Sequence, residues 1–189
     1  MKQKLKILSI VLMLILGIVL LTGCSLNGEK DLSNLPQVTD LTEGQEGFSR
    51  HTEDSGISFA YPVDWVSVGT ATQPMYMDAT GSGSSVNYLT EEISEVLELE
   101  IYVNAAVTNV KANTDMSIVG EIAQEEFALN GKQAFKLSYQ MEQSGMTLNV
   151  IQVVIKTDGK VHMITTGGLS EETENMAETY EKIVSSLKK

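Results

Sequence analysis

Apolar and polar residues alternate most cleanly in Phe135, Leu137, Tyr139 and Met141, which are separated by Lys136, Ser138, Gln140 and Glu142. A period of two places the apolar set on one face of a strand and leaves the other face wet. Leu148 to Ile155 is apolar at nearly every position, which predicts a central strand covered on both faces. Val161 to Thr166 supplies the next strand. Asn130-Gly131 and Asp158-Gly159 are tight-turn signals, and Ser144-Gly145 is a looser one, so Ser117 onward reads as an antiparallel meander. Upstream, Ile57, Phe59 and Tyr61 alternate with Ser58 and Ala60 up to Pro62, which ends the strand because proline cannot donate to a ladder. Trp65 to Val68 predicts a short strand. Met75 to Ala79 and Ser85 to Leu89 predict a hairpin across Gly81-Ser82-Gly83.

Two stretches carry the helical period instead. Ile93, Val96, Leu97, Val103, Val107 and Val110 form one stripe, with Thr90 as its N-cap and Glu91 and Glu92 in the first turn. Its β-branched content works against a helix. Met176, Tyr180, Ile183, Val184 and Leu187 form the second stripe, capped by Ser170. Strands, helix, four-strand meander, helix is an α+β order. It predicts an antiparallel sheet of about six to seven strands packed against two or more helices.

The first residues are of another kind. Lys2, Lys4 and Lys6 precede an apolar run from Ile7 to Leu21, interrupted only by Ser9 and Gly17. The run falls short of the roughly 20 apolar residues a spanning helix needs, and no charges follow it directly. Leu21-Thr22-Gly23-Cys24 closes it. These residues resemble the lipobox of bacterial lipoproteins. That resemblance implies a diacylglyceryl thioether on Cys24 and cleavage that makes Cys24 the first mature residue. Two acyl chains anchor far better than one. The expected organisation is a signal peptide over 1–23, a flexible tether over 24–55 and one domain over 56–189. The expected location is the extracytoplasmic face of the cell membrane; the short lysine-rich signal fits a Gram-positive surface, with a Gram-negative periplasm as the alternative.

The motifs of the domain resemble a family. Gly56-Ile57-Ser58-Phe59-Ala60-Tyr61-Pro62-Val63-Asp64-Trp65 is similar to the opening of the PsbP/Mog1/DcrB-like superfamily. Asn130-Gly131-Lys132-Gln133-Ala134 resembles its turn before a strand, and Tyr180 to Leu187 resembles its last helix. The resemblance implies a sheet between helices. It also implies a binding or assembly role without catalysis, as in a photosystem II extrinsic subunit, a Ran-binding factor and many bacterial lipoproteins.

Composition narrows the partners. The 189-residue chain has a formal charge of -12, and removing residues 1–23 takes away three lysines and no acid, leaving -15. Such a chain is repelled by nucleic acid and by anionic lipid. Cys24 is the single cysteine, so no disulfide can form within the chain. No Ser stands in a nucleophile elbow, and Gly81 to Ser85 lacks the lysine of a phosphate cradle. No catalytic residue, metal ligand set or cofactor is assigned. His51 beside Glu53 and Asp54 falls in the expected tether, a poor platform for a metal. His162 is expected to be a surface or half-buried strand residue, and Glu91, Glu95 and Glu98 to lie on the wet side of the first helix. The candidate binding surface is Trp65, Met75, Tyr76 and Met77, since methionine adapts to irregular apolar partners. Core filling is the competing role for these residues. The expected partners are the membrane, through Cys24, and an envelope protein. A small ligand or a divalent cation is the alternative.

Overall fold

The computed structural model describes residues 30–113 and 117–189. Among them are ten strands: β1 (Gln37–Val38), β2 (Phe48–Thr52), β3 (Ser58–Pro62), β4 (Val66–Ser67), β5 (Met75–Met77), β6 (Ser85–Glu92), β7 (Ser117–Leu129), β8 (Lys132–Gln143), β9 (Met146–Thr157) and β10 (Lys160–Leu169). Helix α1 is Leu99–Ala112. A 3₁₀ turn over Ser170–Glu172 leads into helix α2, Thr173–Ser185. Eight strands form one sheet in the order β1-β7-β8-β9-β10-β6-β5-β4, and β2 and β3 form a separate hairpin.

The meander is as the turn residues predict. Asn130, Ser144 and Asp158 hold φ of 49°, 53° and 51°, and the glycine after each is also left-handed. These are the positive dihedrals of tight hairpin turns, which Asn, Asp and Gly adopt at low cost. The turns set the register of β7 to β10 and so fix which face each side chain joins.

Both faces of the sheet are covered, which is why β9 is apolar throughout. On one face, Val86, Tyr88, Val153, Ile155 and Ile164 meet Tyr180, Ile183, Val184 and Leu187 of the α2 segment and Ile57 and Phe59 of the hairpin. On the other, Phe135, Leu137, Val154 and Met163 meet Leu99, Tyr102 and Val103 of α1, and Tyr139 and Met141 meet Val110. Full burial of one such aliphatic side chain contributes about 1.5–3 kcal/mol.

Four expectations are corrected. First, β6 runs on to Glu92, paired with Lys160, and Ile93 N donates to Gly159 O at 2.9 Å. The helix therefore starts at Leu99 rather than near Thr90. Strand pairing outweighs the helical period where the residues are β-branched. Glu91 is thus a strand residue, and its carboxylate accepts the Tyr102 hydroxyl at 2.7 Å. Second, the sheet has eight strands and is mixed, because β1 runs parallel to β7. Third, His162 is fully buried rather than surface or half-buried. Its Nδ1 lies 2.8 Å from the Tyr88 hydroxyl and its Nε2 3.1 Å from Thr157 Oγ1. Burial pushes its pKa down, so the ring stays neutral.

Fourth, the folded domain starts well before Gly56. Asp40 is buried and accepts from Thr42 N at 2.9 Å, Thr42 Oγ1 at 2.6 Å, Lys188 Nζ at 2.9 Å and Arg50 Nη2. Arg50, on β2, also donates to Ser186 O at 3.0 Å. Ser58 and Lys188 exchange backbone bonds of 2.8 and 3.0 Å. Residues 37–55 are therefore tied to the C-terminus, and their polar composition reflects an ionic network rather than a linker. The expected signal peptide and Cys24 lie outside the described residues.

Candidate functional site

Two regions hold chemistry that the core does not absorb. The first surrounds β5. Alternation along this strand sends Met75 and Met77 to one side, where both are buried, and Tyr76 to the other. Trp65 is also buried, packed in the α2-side core below the Pro62 turn, with its backbone N–H donated to Pro62 O at 3.1 Å. Of the four predicted surface residues, only Tyr76 is open to solvent, and only in part. The groove of Trp65, Met75 and Met77 is not formed, since all three fill the interior.

Tyr76 instead joins residues of the β2–β3 hairpin. Its ring stacks on Tyr61, with centroids 3.6 Å apart and planes at 11°. Its hydroxyl is 2.9 Å from His51 Nδ1, and His51 Nε2 is 2.7 Å from a Glu53 oxygen. With a neutral ring, Tyr76 donates to Nδ1 and Nε2–H donates to Glu53. Burial, followed by the neighbouring Tyr61 and the Glu53 charge, pushes the Tyr76 pKa up to about 12. The hydroxyl therefore stays protonated at neutral pH and acts as a hydrogen-bonding group rather than a nucleophile. Next to it, β4 is the sheet edge, and Val63, Val66 and Val68 are exposed around it. Sequence reasoning put His51 in a tether because Ser49, Arg50, His51 and Thr52 show no apolar alternation.

The second region is at the opposite edge. A cleft of about 330 Å³ lies between β1, β7, β8 and α2. Phe127, Val184 and half-buried Val38 form its apolar floor; Pro36, Leu41, Glu125, Glu126, Lys136 and Glu181 surround it. Lys136 Nζ sits 3.3 Å from Glu125 and 3.5 Å from Glu181. Glu126 pairs with Lys30 and accepts Gln133 Nε2 at 2.6 Å. Partial burial works to raise the Glu126 pKa, but these two donors outweigh it and hold the pKa below the usual range. Each rim charge thus has an opposite partner, three carboxylates sharing two lysines. No short motif could have revealed this cleft, because its walls come from segments nearly 150 residues apart. Among the described residues, no three His, Cys, Asp or Glu side chains converge as a metal would require.

The sheet with α1 on one face and α2 on the other is the frame the opening motif points to. A profile of the PsbP-like protein family matches residues 6–188. The chain belongs to the PsbP-like family. Solved structures agree on the fold. Cyanobacterial PsbP (CyanoP) from Synechocystis sp. PCC 6803 superposes with a TM-score of 0.58 at 14% identity, over 75% of this chain and 92% of that one. LpqN of Mycobacterium tuberculosis, described as involved in cell envelope biogenesis, gives 0.53 at 15%, over 76% and 85%. PA94 of Pseudomonas aeruginosa, a protein of unknown function, gives 0.51 at 14%, over 75% and 96%. At such identity the likeness concerns fold alone. A comparison with curated protein sequences finds no match. Within the PsbP-like frame, the Gly56–Trp65 motif forms β3 and the turn that drives Trp65 inward. Most of the motif thus serves folding in this chain, while its Tyr61 and Val63 face the Tyr76 corner.

Proposed function

We propose that this PsbP-like chain is a lipid-anchored protein on the extracytoplasmic face of the cell membrane, serving as a docking or assembly module without catalysis. The observation that carries the reading is the sequence Leu21-Thr22-Gly23-Cys24, closing a short apolar run near the start of the stretch that matches the PsbP-like family. No helix among the described residues is long and apolar enough to cross a membrane. The chemistry of both regions supports docking. The polar groups around the cleft are paired with each other, and the Tyr76 hydroxyl is held protonated, so each offers shape and hydrogen bonding rather than an activated group. The involvement of LpqN in cell envelope biogenesis is consistent with such a location.

A small ligand is the second reading, favoured by the cleft. Its volume is at the lower end of the roughly 300–1,000 Å³ of ligand sites, and its floor is apolar. Crosslinking on intact cells followed by mass spectrometry separates the two. A reproducible protein partner crosslinked at the Tyr76 corner or the cleft supports docking. Labelling of bulk envelope alone, together with saturable ligand binding lost in a cleft variant, supports the second. The anchor has its own test. Cys24→Ala should release the protein to the medium or leave it unprocessed; membrane retention with correct cleavage would remove the lipid from the reading.

A further inference from the structure

The fold fixes where the anchor leaves the domain. Lys30 is ion-paired with Glu126 at the cleft rim. Gln37 Nε2 donates to Leu32 O at 2.7 Å and to Leu35 O at 2.9 Å, and Ser33 N donates to Asp31 Oδ1 at 2.9 Å. Pro36 O accepts Ala128 N of β7 at 2.9 Å. The chain is thus fastened to the β1–β7 edge from Lys30 onward. Only Ser25 to Glu29 separate Lys30 from Cys24. Six residue steps reach about 20 Å even when fully extended.

We infer that the β1–β7 edge and the cleft beside it are held facing the bilayer, so that the surface this edge meets is a lipid surface. This inference rests on the lipid-anchor reading above. The expected 32-residue tether would have let the domain turn freely; a six-residue one does not. The two edges of the sheet are seven strand spacings apart, about 34 Å at ~4.8 Å each. With Lys30 within about 20 Å of the membrane, the far edge at β4 points outward. Orientation comes from the leash and not from affinity, because the acidic chain is repelled by anionic headgroups. The arrangement divides the work of the two regions. The cleft is reached by groups rising from the membrane, whereas Tyr61, Tyr76, Val63, Val66 and Val68 are presented away from it.

The test uses the full lipidated protein in phosphatidylcholine vesicles carrying a small fraction of nickel-chelating lipid. Cys24 is consumed by lipid, so Leu41→Cys at the cleft and Val66→Cys at β4 each take a single nitroxide. Both positions are exposed, and neither change disturbs the core. Paramagnetic relaxation at position 41 should exceed that at position 66 several-fold. A 20-residue Gly/Ser insertion between Gly28 and Glu29 should bring the two close to equal. Equal relaxation at both positions with the native leash, or stronger relaxation at 66, overturns the inference while leaving the anchor intact. Failure of the protein to float with the vesicles overturns the anchor reading itself, and the orientation with it.

Discussion

Asp40 gives the sharpest check on how the N-terminal segment belongs to the domain. Its carboxylate is nearly inaccessible, with a side chain 2% exposed, and it gathers Thr42, Arg50 and Lys188. Burial works to raise its pKa, but the Thr42 bonds and the two cations outweigh it and hold the pKa below the ordinary value. Removing one partner of a buried ion pair costs about 3–5 kcal/mol. Here Arg50 and Lys188 keep 29% and 31% of their side chains in solvent, so water takes up part of the stranded charge. Asp40→Ala should therefore lose about 3 kcal/mol in urea unfolding, at the low end of that range. Asp40→Asn keeps an oxygen for Thr42 and should lose about half as much. The pH dependence has a definite sign. A carboxylate whose folded pKa lies below its unfolded value of about 3.9 stabilises fully above that value, and the contribution fades as pH falls through the folded pKa. The gap between wild type and Asp40→Asn should thus be full at pH 6 and shrink below about pH 4. A loss under ~1 kcal/mol for Asp40→Ala, or a gap constant from pH 6 to 3, would mean that residues 37–55 are not held by this network.

Three further outcomes follow from packing. Trp65→Ala should cost about 3–5 kcal/mol in urea melts, since the indole is 6% exposed within the core; a loss under ~1 kcal/mol would place it on the surface. Gly167→Ala should leave little folded protein, because a Cβ there would stand 2.0 Å from Asn149 O on the neighbouring strand; unchanged circular dichroism and melting would refute that contact. Tyr180→Phe should lose about 1–3 kcal/mol, because the buried Ser84 hydroxyl 2.7 Å away is left without this partner, and pairing the change with Ser84→Ala should recover part of that loss.

Much of the fold was legible because its signals are local. Asn130-Gly131, Ser144-Gly145 and Asp158-Gly159 need only their own dihedral preferences to turn the chain, and the strands between them need only alternation. The stripe from Met176 to Leu187 identifies the last helix in the same way. The sequence places the first helix too early because Ile93, Val96 and Leu97 keep the helical spacing, and only the partner β10, some 70 residues away, makes Thr90 to Glu92 a strand. His162 was misjudged because alternation shows that it faces away from Val161 and Met163, but not that α2 and the β2–β3 hairpin cover that side too. The candidate surface was misjudged for the same reason. Trp65, Met75 and Met77 are apolar wherever they lie, and whether they line a groove or fill a core depends on what packs over them.

By itself, the sequence determined the α+β order, the meander with its turns and the family, all of which depend on neighbouring residues. The tertiary structure alone decided where the domain begins, that Tyr76 meets His51 and Tyr61, and that a cleft opens beside Lys30. Each of these joins residues far apart in the chain, and their contacts follow from three-dimensional packing, which no local period encodes.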